Sequence, residues 1–182
     1  MARRAEEKSG ETTTLLATLG RLGLFSALSA IVAAAGGRVT TKPKNKAWYR
    51  AAKKSSLTPP DAAFGAVWPA LYSLGAWSAS RVAGARRSPD RDKALALFGA
   101  QLACNAAWSP TFFGAHRPRL ALAILLGNVA ALGAYAYYAR RVDGLAAAAV
   151  VPNLAWLGYA GYLNATFITK NAHGPMRALT AG

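Results

Sequence analysis

The sequence predicts an all-α protein, an integral membrane bundle of five transmembrane helices, and three observations carry that prediction. Of the 182 residues, 53% are apolar and only 16% charged, whereas an ordinary soluble domain carries about 25% charge. The charge is one-signed: 22 Lys and Arg against 7 Asp and Glu leave +15. The charges also stand between long uncharged runs. A helix needs about 20 apolar residues, rising 1.5 Å each, to cross a hydrocarbon core of about 30 Å. Five stretches of that length take up most of the chain, and so small a soluble domain could not bury five uncharged helices on all sides. The mean hydropathy of +0.17 is modest because charged connectors dilute it. Basic residues confined to connectors argue against a nucleic-acid interface, which would spread them along amphipathic stretches.

The elements follow in order. A polar tail of mixed charge, residues 1–14, precedes a first span over 15–37, in a stretch from Thr12 to Gly37 that only Arg21 interrupts. Arg21 lies near one end, where a long side chain snorkels to the interface. The stretch lacks a small-residue cleavage site and is long enough to span, so it is read as a helix and not as a leader. The second span, 62–81, rests on Ala62–Ser80, 19 residues without a charge; the third, 94–115, on Ala94–Ala115, 22 residues. The fourth, 119–139, rests on the 20 residues Leu120–Ala139, and the fifth, 145–169, on the 26 residues Gly144–Thr169. A tail over 172–182 ends this single domain. Pro69, Pro110 and Pro152 fall inside spans and are expected to kink them.

Charge sets no orientation. Five spans place ten basic residues on one side and eleven on the other, outside Arg21, and the positive-inside rule needs an asymmetry. The basic connectors are expected to meet anionic lipid headgroups. Gly127 with Ala131, Ala130 with Ala134 and Gly161 with Ala165 form small-xxx-small faces. These serve either packing within the chain or a homodimer, which is the expected assembly. The single cysteine, Cys104, is read as a small packing residue and leaves no multi-cysteine metal site.

The interior is predicted to be neutral but not featureless. All seven acids lie outside the uncharged runs, whereas proton relays and ion-coupled pumps place Asp, Glu or His within the membrane. His116 falls in a connector, where it is read as solvated with axial haem ligation as the alternative, and His173 falls in the tail. No metal site and no required cofactor are expected. On the third span Gln101, Asn105 and Ser109 share one face at four-residue spacing, with Trp108 beside them. The fifth carries Asn153, Trp156, Tyr159 and Asn164, and the second an aromatic stripe of Phe64, Trp68 and Tyr72. Amides in membrane helices often serve only interhelical bonding. Trp68, Trp108 and Trp156, however, lie away from the helix ends where interfacial tryptophans gather, and each indole N–H needs a partner. Inward-facing rings with a few amides describe an apolar, aromatic cavity suited to a large flat ligand.

Beyond these placements, the ordered motifs resemble a known family. Trp48-Tyr49, Leu57-Thr58-Pro59-Pro60, Phe64-Gly65, Val67-Trp68 and Leu71-Tyr72 are similar to the first-loop and second-helix signature of the TspO/MBR family. These are the tryptophan-rich sensory proteins and translocator proteins, or peripheral benzodiazepine receptors. The resemblance continues through Gln101-Leu102, Asn105, Trp108-Ser109-Pro110 and Phe112-Phe113-Gly114, then Pro152, Trp156, Ala160, Leu163-Asn164 and Asn171. It implies a five-helix bundle, often dimeric, that binds porphyrins such as protoporphyrin IX or haem and acts in tetrapyrrole sensing or transport. The alternatives it implies are light-dependent porphyrin degradation through Trp68 and Trp156, and a scaffold that binds sterols or drug-like molecules. The implied ligand contacts are Trp48, Phe64, Trp68, Gln101, Asn105, Trp108 and Trp156, with propionates near Arg50, Lys53 and Lys54. The Lys-Pro-x-Trp usual before the Pro-Pro pair is replaced by Lys54-Ser55-Ser56-Leu57, so the loop offers one ring fewer. Tyr162 is too far from Lys170 for the short sterol pattern. An Ala- and Arg-rich composition points to a bacterial membrane in preference to the mitochondrial outer membrane.

Overall fold

A computed structural model describes the backbone of residues 2–172 and the side chains of residues 14–172. The side chains of most of the tail 1–14, and the tail beyond residue 172 with His173 and Arg177, lie outside the described residues. Along the chain stand α1 (Ala2–Thr40), α2 (Pro43–Ala51), α3 (Asp61–Gly84) and α4 (Pro89–Ser109), which runs into a π-helical turn (Pro110–Gly114). Then come α5 (Pro118–Arg140), α6 (Gly144–Ala149) and α7 (Val151–Asn171). No strand occurs among the described residues.

Proline placement sets most of these boundaries. Pro43, Pro89 and Pro118 stand in the first turns of α2, α4 and α5, where the missing N–H has no helical partner to lose. Pro110 ends the regular part of α4, and Ala115 N–H reaches back five residues to the Pro110 carbonyl at 2.8 Å. Pro152 coincides with the break at Val150 between α6 and α7, so the fifth predicted span is two helices with a joint. The expected kinks therefore take the form of a π turn and a helix break at two of the three prolines; Pro69 stays inside α3. Two boundaries differ from expectation. α1 begins at Ala2, well before the apolar stretch, and the first connector holds a nine-residue helix, α2.

Among the described residues, three segments are long and apolar enough to cross a membrane: Thr14–Thr40, Pro118–Arg140 and Gly144–Asn171. α3 and α4 with its π turn have the length but a lower apolar content. They carry Trp68, Pro69, Tyr72 and Trp77, and Gln101, Asn105, Trp108 and Pro110, which lower their mean hydropathy. The result is a membrane helical bundle in which α5 is central, packed on α4 and α7, while α1 lies along α3 and α4. Val82, Phe98, Leu132, Tyr135, Val150 and Leu157 fill the main core. One buried polar knot fixes three helices: the Ser78 hydroxyl donates to the Ala146 carbonyl at 2.6 Å and pairs with the Tyr135 hydroxyl at 2.5 Å.

Small residues set how closely the helices approach. A Cβ on Gly36 would lie 3.1 Å from Ser109 Oγ, so α1 meets the end of α4 there. Gly127 faces Cys104, and Gly161 faces Leu125 at 3.5 Å. Those small residues therefore serve contacts within the chain, and Cys104 is the half-buried packing residue expected.

Candidate functional site

The aromatic side chains fall into two groups. The first lies between α3 and α7. Trp68 and Trp156 meet edge to face with ring centroids 6.4 Å apart. Phe64 meets Trp156 at 5.7 Å, Tyr72 lies 5.6 Å from Trp68, and Tyr159 lies 5.6 Å from Trp156. The cause is local. Four-residue spacing puts Phe64, Trp68 and Tyr72 on one stripe of α3, and Trp156 and Tyr159 are neighbours one turn apart on α7. All five rings are half-buried, which leaves them surface to offer a ligand.

The second group gathers under α2. Trp48 is buried against Phe112 at 5.6 Å, Phe167 at 5.2 Å and His116, whose ring stacks on it at 4.4 Å and 14°. Trp108 stacks on Phe112 at 5.0 Å and 15° and meets Phe113 edge-on at 5.8 Å. Of the seven ligand contacts expected from sequence, the structure brings Phe64, Trp68 and Trp156 together. Trp48 and Trp108 stand in the other group, although Trp108 also packs against the main core, as Trp68 does. Gln101 and Asn105 hold each other: Asn105 Nδ2 donates to Gln101 Oε1 at 2.9 Å, leaving the Asn105 carbonyl and the Gln101 amino group for another partner. Ser109, on the same predicted face, instead points at Gly36 of α1.

Three indole N–H groups, on Trp48, Trp108 and Trp156, are buried without a hydrogen-bond partner. A buried donor left unpaired costs about 1–3 kcal/mol, so three of them among stacked rings favour a ligand with acceptor atoms. Asn164 takes the bland role weighed for it, donating to the Pro118 carbonyl at 3.2 Å.

A loop crosses between the groups and is tied at both ends. Asn171, at the end of α7, accepts from Lys53 N–H at 3.0 Å and donates to the Lys53 carbonyl at 2.8 Å. Tyr159 donates to the Leu57 carbonyl. Lys54 Nζ donates to the carbonyls of Tyr49, Arg50 and Ala52, at 2.9, 3.4 and 3.0 Å, and lies over the Tyr49 ring. Lys54, expected near a propionate, is engaged here: its three donors cap the C-terminal end of α2.

His116 also departs from the solvated loop residue expected. It sits at φ 56°, in the left-handed region, and turns the chain from the π turn into α5. Its Nε2 is buried without a partner. Burial, then the Lys44 ammonium, push its pKa below the usual value of 6.5, against a hydrogen bond with the Phe113 backbone. The Tyr49 hydroxyl is pushed up by burial and then by Asp61. Sequence reasoning passed over the stacking of His116 on Trp48, Phe167, and the loop-tying roles of Tyr159 and Asn171. A period-three signal was available for Tyr159, next to Trp156, but no local signal marks Phe167, which meets Trp48 only through the fold.

Comparison with known proteins agrees with this architecture. A sequence model of the TspO/MBR family matches residues 25–169. The chain is 39% identical over 122 residues to the translocator protein of Sus scrofa, covering 64% of this chain and 70% of that one. It is 36% identical over 119 residues to protein CrtK of Rhodobacter capsulatus, covering 65% and 74%. With the tryptophan-rich protein TspO of Chlorobaculum tepidum it shares 33% over 153 residues, covering 82% and 95%.

Proposed function

The chain belongs to the TspO/MBR family and is an integral membrane protein, and from that premise we propose that it binds a porphyrin of the protoporphyrin IX type, haem included, in tetrapyrrole sensing or transport. The observation that carries this reading is the Trp68–Trp156 pair, flanked by Phe64, Tyr72 and Tyr159, all half-buried. A planar macrocycle gains area against these rings, plus about 0.5–1.5 kcal/mol for each aromatic pair. The Trp156 N–H donates to an acceptor on the ligand. Arg50 and Lys53 face the propionates, where charge-assisted bonds form near water and not at the bilayer centre.

The same premise supports five spans. α3, 24 residues, is about 36 Å long at 1.5 Å per residue, and α4 with its π turn is of similar length. Both reach across a core of about 30 Å; part of their lower apolarity comes from Trp68, Tyr72, Gln101, Asn105 and Trp108, which this reading places at or near the site. The basic connectors meet anionic headgroups, a homodimer is the assembly, and the Ala- and Arg-rich composition supports a bacterial membrane.

The experiment is a titration of the detergent-purified protein with protoporphyrin IX in the dark, followed by absorbance and tryptophan fluorescence. Saturable quenching with a shifted porphyrin band is expected; quenching that rises linearly without saturation refutes a defined site. A second reading, light-dependent porphyrin degradation, is favoured by the direct contact of Trp68 and Trp156. It is separated from the first by illuminating the complex under air and following the loss of the porphyrin band.

A further inference from the structure

α1 carries a charge that neither the site nor the core uses. Arg21 lies upstream of the segment that matches the family model, residues 25–169, and is the one basic residue inside the first apolar stretch. Its half-buried guanidinium lies flat on Gly84, the last residue of α3. A Cβ there would be 3.0–3.2 Å from Arg21 Nη2, Cζ and Nε. Nη2 donates to Thr18 Oγ1 at 3.0 Å, and Thr18 itself donates to the Thr14 carbonyl, which fixes the arrangement. Nε is buried without a partner. Among the described residues no carboxylate lies within ion-pair distance; the ion pairs there are Arg81–Asp143, Arg91–Asp92 and Arg141–Asp90.

The depth of this cation is legible from its neighbours. At the same end of the bundle Arg81 lies over the exposed Trp77 ring at 5.0 Å, and Arg141 over the exposed Tyr137 ring at 4.3 Å. Exposed aromatic rings beside arginines mark a membrane–water interface. Arg81 is one turn before Gly84, so Arg21 stands at headgroup level. Below it α1 presents Leu24, Leu28 and Ile31, exposed by 57%, 42% and 65%, at the i+3, i+7 and i+10 positions that share a face with Arg21. The strip from Arg21 to Ile31 is about 15 Å long at 1.5 Å per residue, which is the hydrocarbon depth of one leaflet.

We infer that Arg21 and the Leu24–Leu28–Ile31 strip of α1 form a site for one anionic phospholipid, its phosphate on the guanidinium and an acyl chain along the strip. A planar guanidinium donates to phosphate in paired bonds, and a cation without an ion-pair partner at this interface binds an anion more strongly than it would in bulk water. A Cβ on Gly84 would force the guanidinium to shift by a few tenths of an ångström, so the glycine lets it lie close against α3. The site rests on the membrane placement of α1 and stands apart from the porphyrin reading, since none of its residues touches either aromatic group.

The test is native mass spectrometry of the full chain, titrated in detergent with phosphatidylglycerol and, separately, phosphatidylcholine. One phosphatidylglycerol is expected to be retained in preference to phosphatidylcholine, and Arg21→Gln is expected to weaken it about tenfold with phosphatidylcholine unaffected. Arg119→Gln removes an exposed charge elsewhere and is expected to change neither. Equal retention by Arg21→Gln and the unaltered protein overturns the inference, as does an equal loss from Arg119→Gln. Displacement of the lipid by millimolar inorganic phosphate also overturns it, because the site would then hold a free anion. If Arg21→Gln does not fold, Leu28→Ser leaves the guanidinium on Gly84 and carries the test. Weaker retention of phosphatidylglycerol supports the strip, and unchanged retention refutes it.

Discussion

Asn171→Ala would release the loop between α2 and α3 by an amount the structure allows to be worked out. The Asn171 side chain makes two hydrogen bonds to Lys53, one to its N–H and one to its carbonyl. Truncation to alanine removes both. Lys53 is exposed, so water re-solvates its backbone once the loop lifts, and the buried-orphan penalty does not apply. The relevant figure is the net value of about 1 kcal/mol per bond, or about 2 kcal/mol for the pair. At 1.4 kcal/mol per decade, that is about a 30-fold rise in the open population. The far end of the loop stays tied by Tyr159 to Leu57, and Lys54 keeps its cap on α2, so opening remains local. Hydrogen exchange read by mass spectrometry on the detergent-solubilised protein should therefore show peptides over residues 52–58 losing protection by about 30-fold. Peptides from the centre of α5 should exchange as before. Porphyrin should also leave faster, because the loop stands beside Trp156 and Tyr159. If exchange over 52–58 is unchanged, the two bonds do not hold the loop. If α5 loosens equally, Asn171 supports the whole bundle and not the loop.

Other predictions follow from single contacts. Trp68→Phe with Trp156→Phe should leave porphyrin binding within a few-fold in the dark, since ring area is largely kept, while any light-driven bleaching falls to background; normal bleaching would remove both indoles from that chemistry. Ser78→Ala should destabilise by about 1–3 kcal/mol, because it strands the buried Tyr135 hydroxyl. Tyr135→Phe should cost nearer 1 kcal/mol, since Ser78 keeps its bond to Ala146; thermal unfolding in detergent ranks the two. Gly36→Val should lower the melting temperature where α1 meets Ser109 at 3.1 Å, an overpacking cost of about 1–3 kcal/mol, and Ser109→Ala should restore part of it. His116 is neutral in the folded chain further down the pH scale than in the unfolded one, because burial and Lys44 lower its pKa below 6.5. The unfolded state thus binds more protons in that window, and stability must fall as pH drops through it. The imidazole resonance of His116, assigned with His116→Gln, should titrate below 6.5, and loss of the Trp48 stacking should follow the same curve.

By itself the sequence determined that this protein is a helical membrane bundle, and it marked residues that could make a site. Burial in hydrocarbon is a property of each stretch: Leu120–Ala139 and Gly144–Thr169 carry no charge, and α5 and α6–α7 occupy those stretches. The α3 stripe of Phe64, Trp68 and Tyr72 was equally legible, because i, i+4 periodicity is local. Pro110 and Pro152 announced irregular backbone for the same reason, though whether each would become a kink, a π turn or a break depended on neighbouring helices. The tertiary structure decided partnership. Trp156 belongs with Trp68, Trp48 with His116 and Phe167, and Lys54 with the end of α2, all through contacts between segments far apart in the chain or through a local fold that charge alone does not specify. Gly84 shows both levels: glycine at the last residue of α3 suits a helix end, but only the tertiary structure shows the Arg21 guanidinium of another helix lying against it.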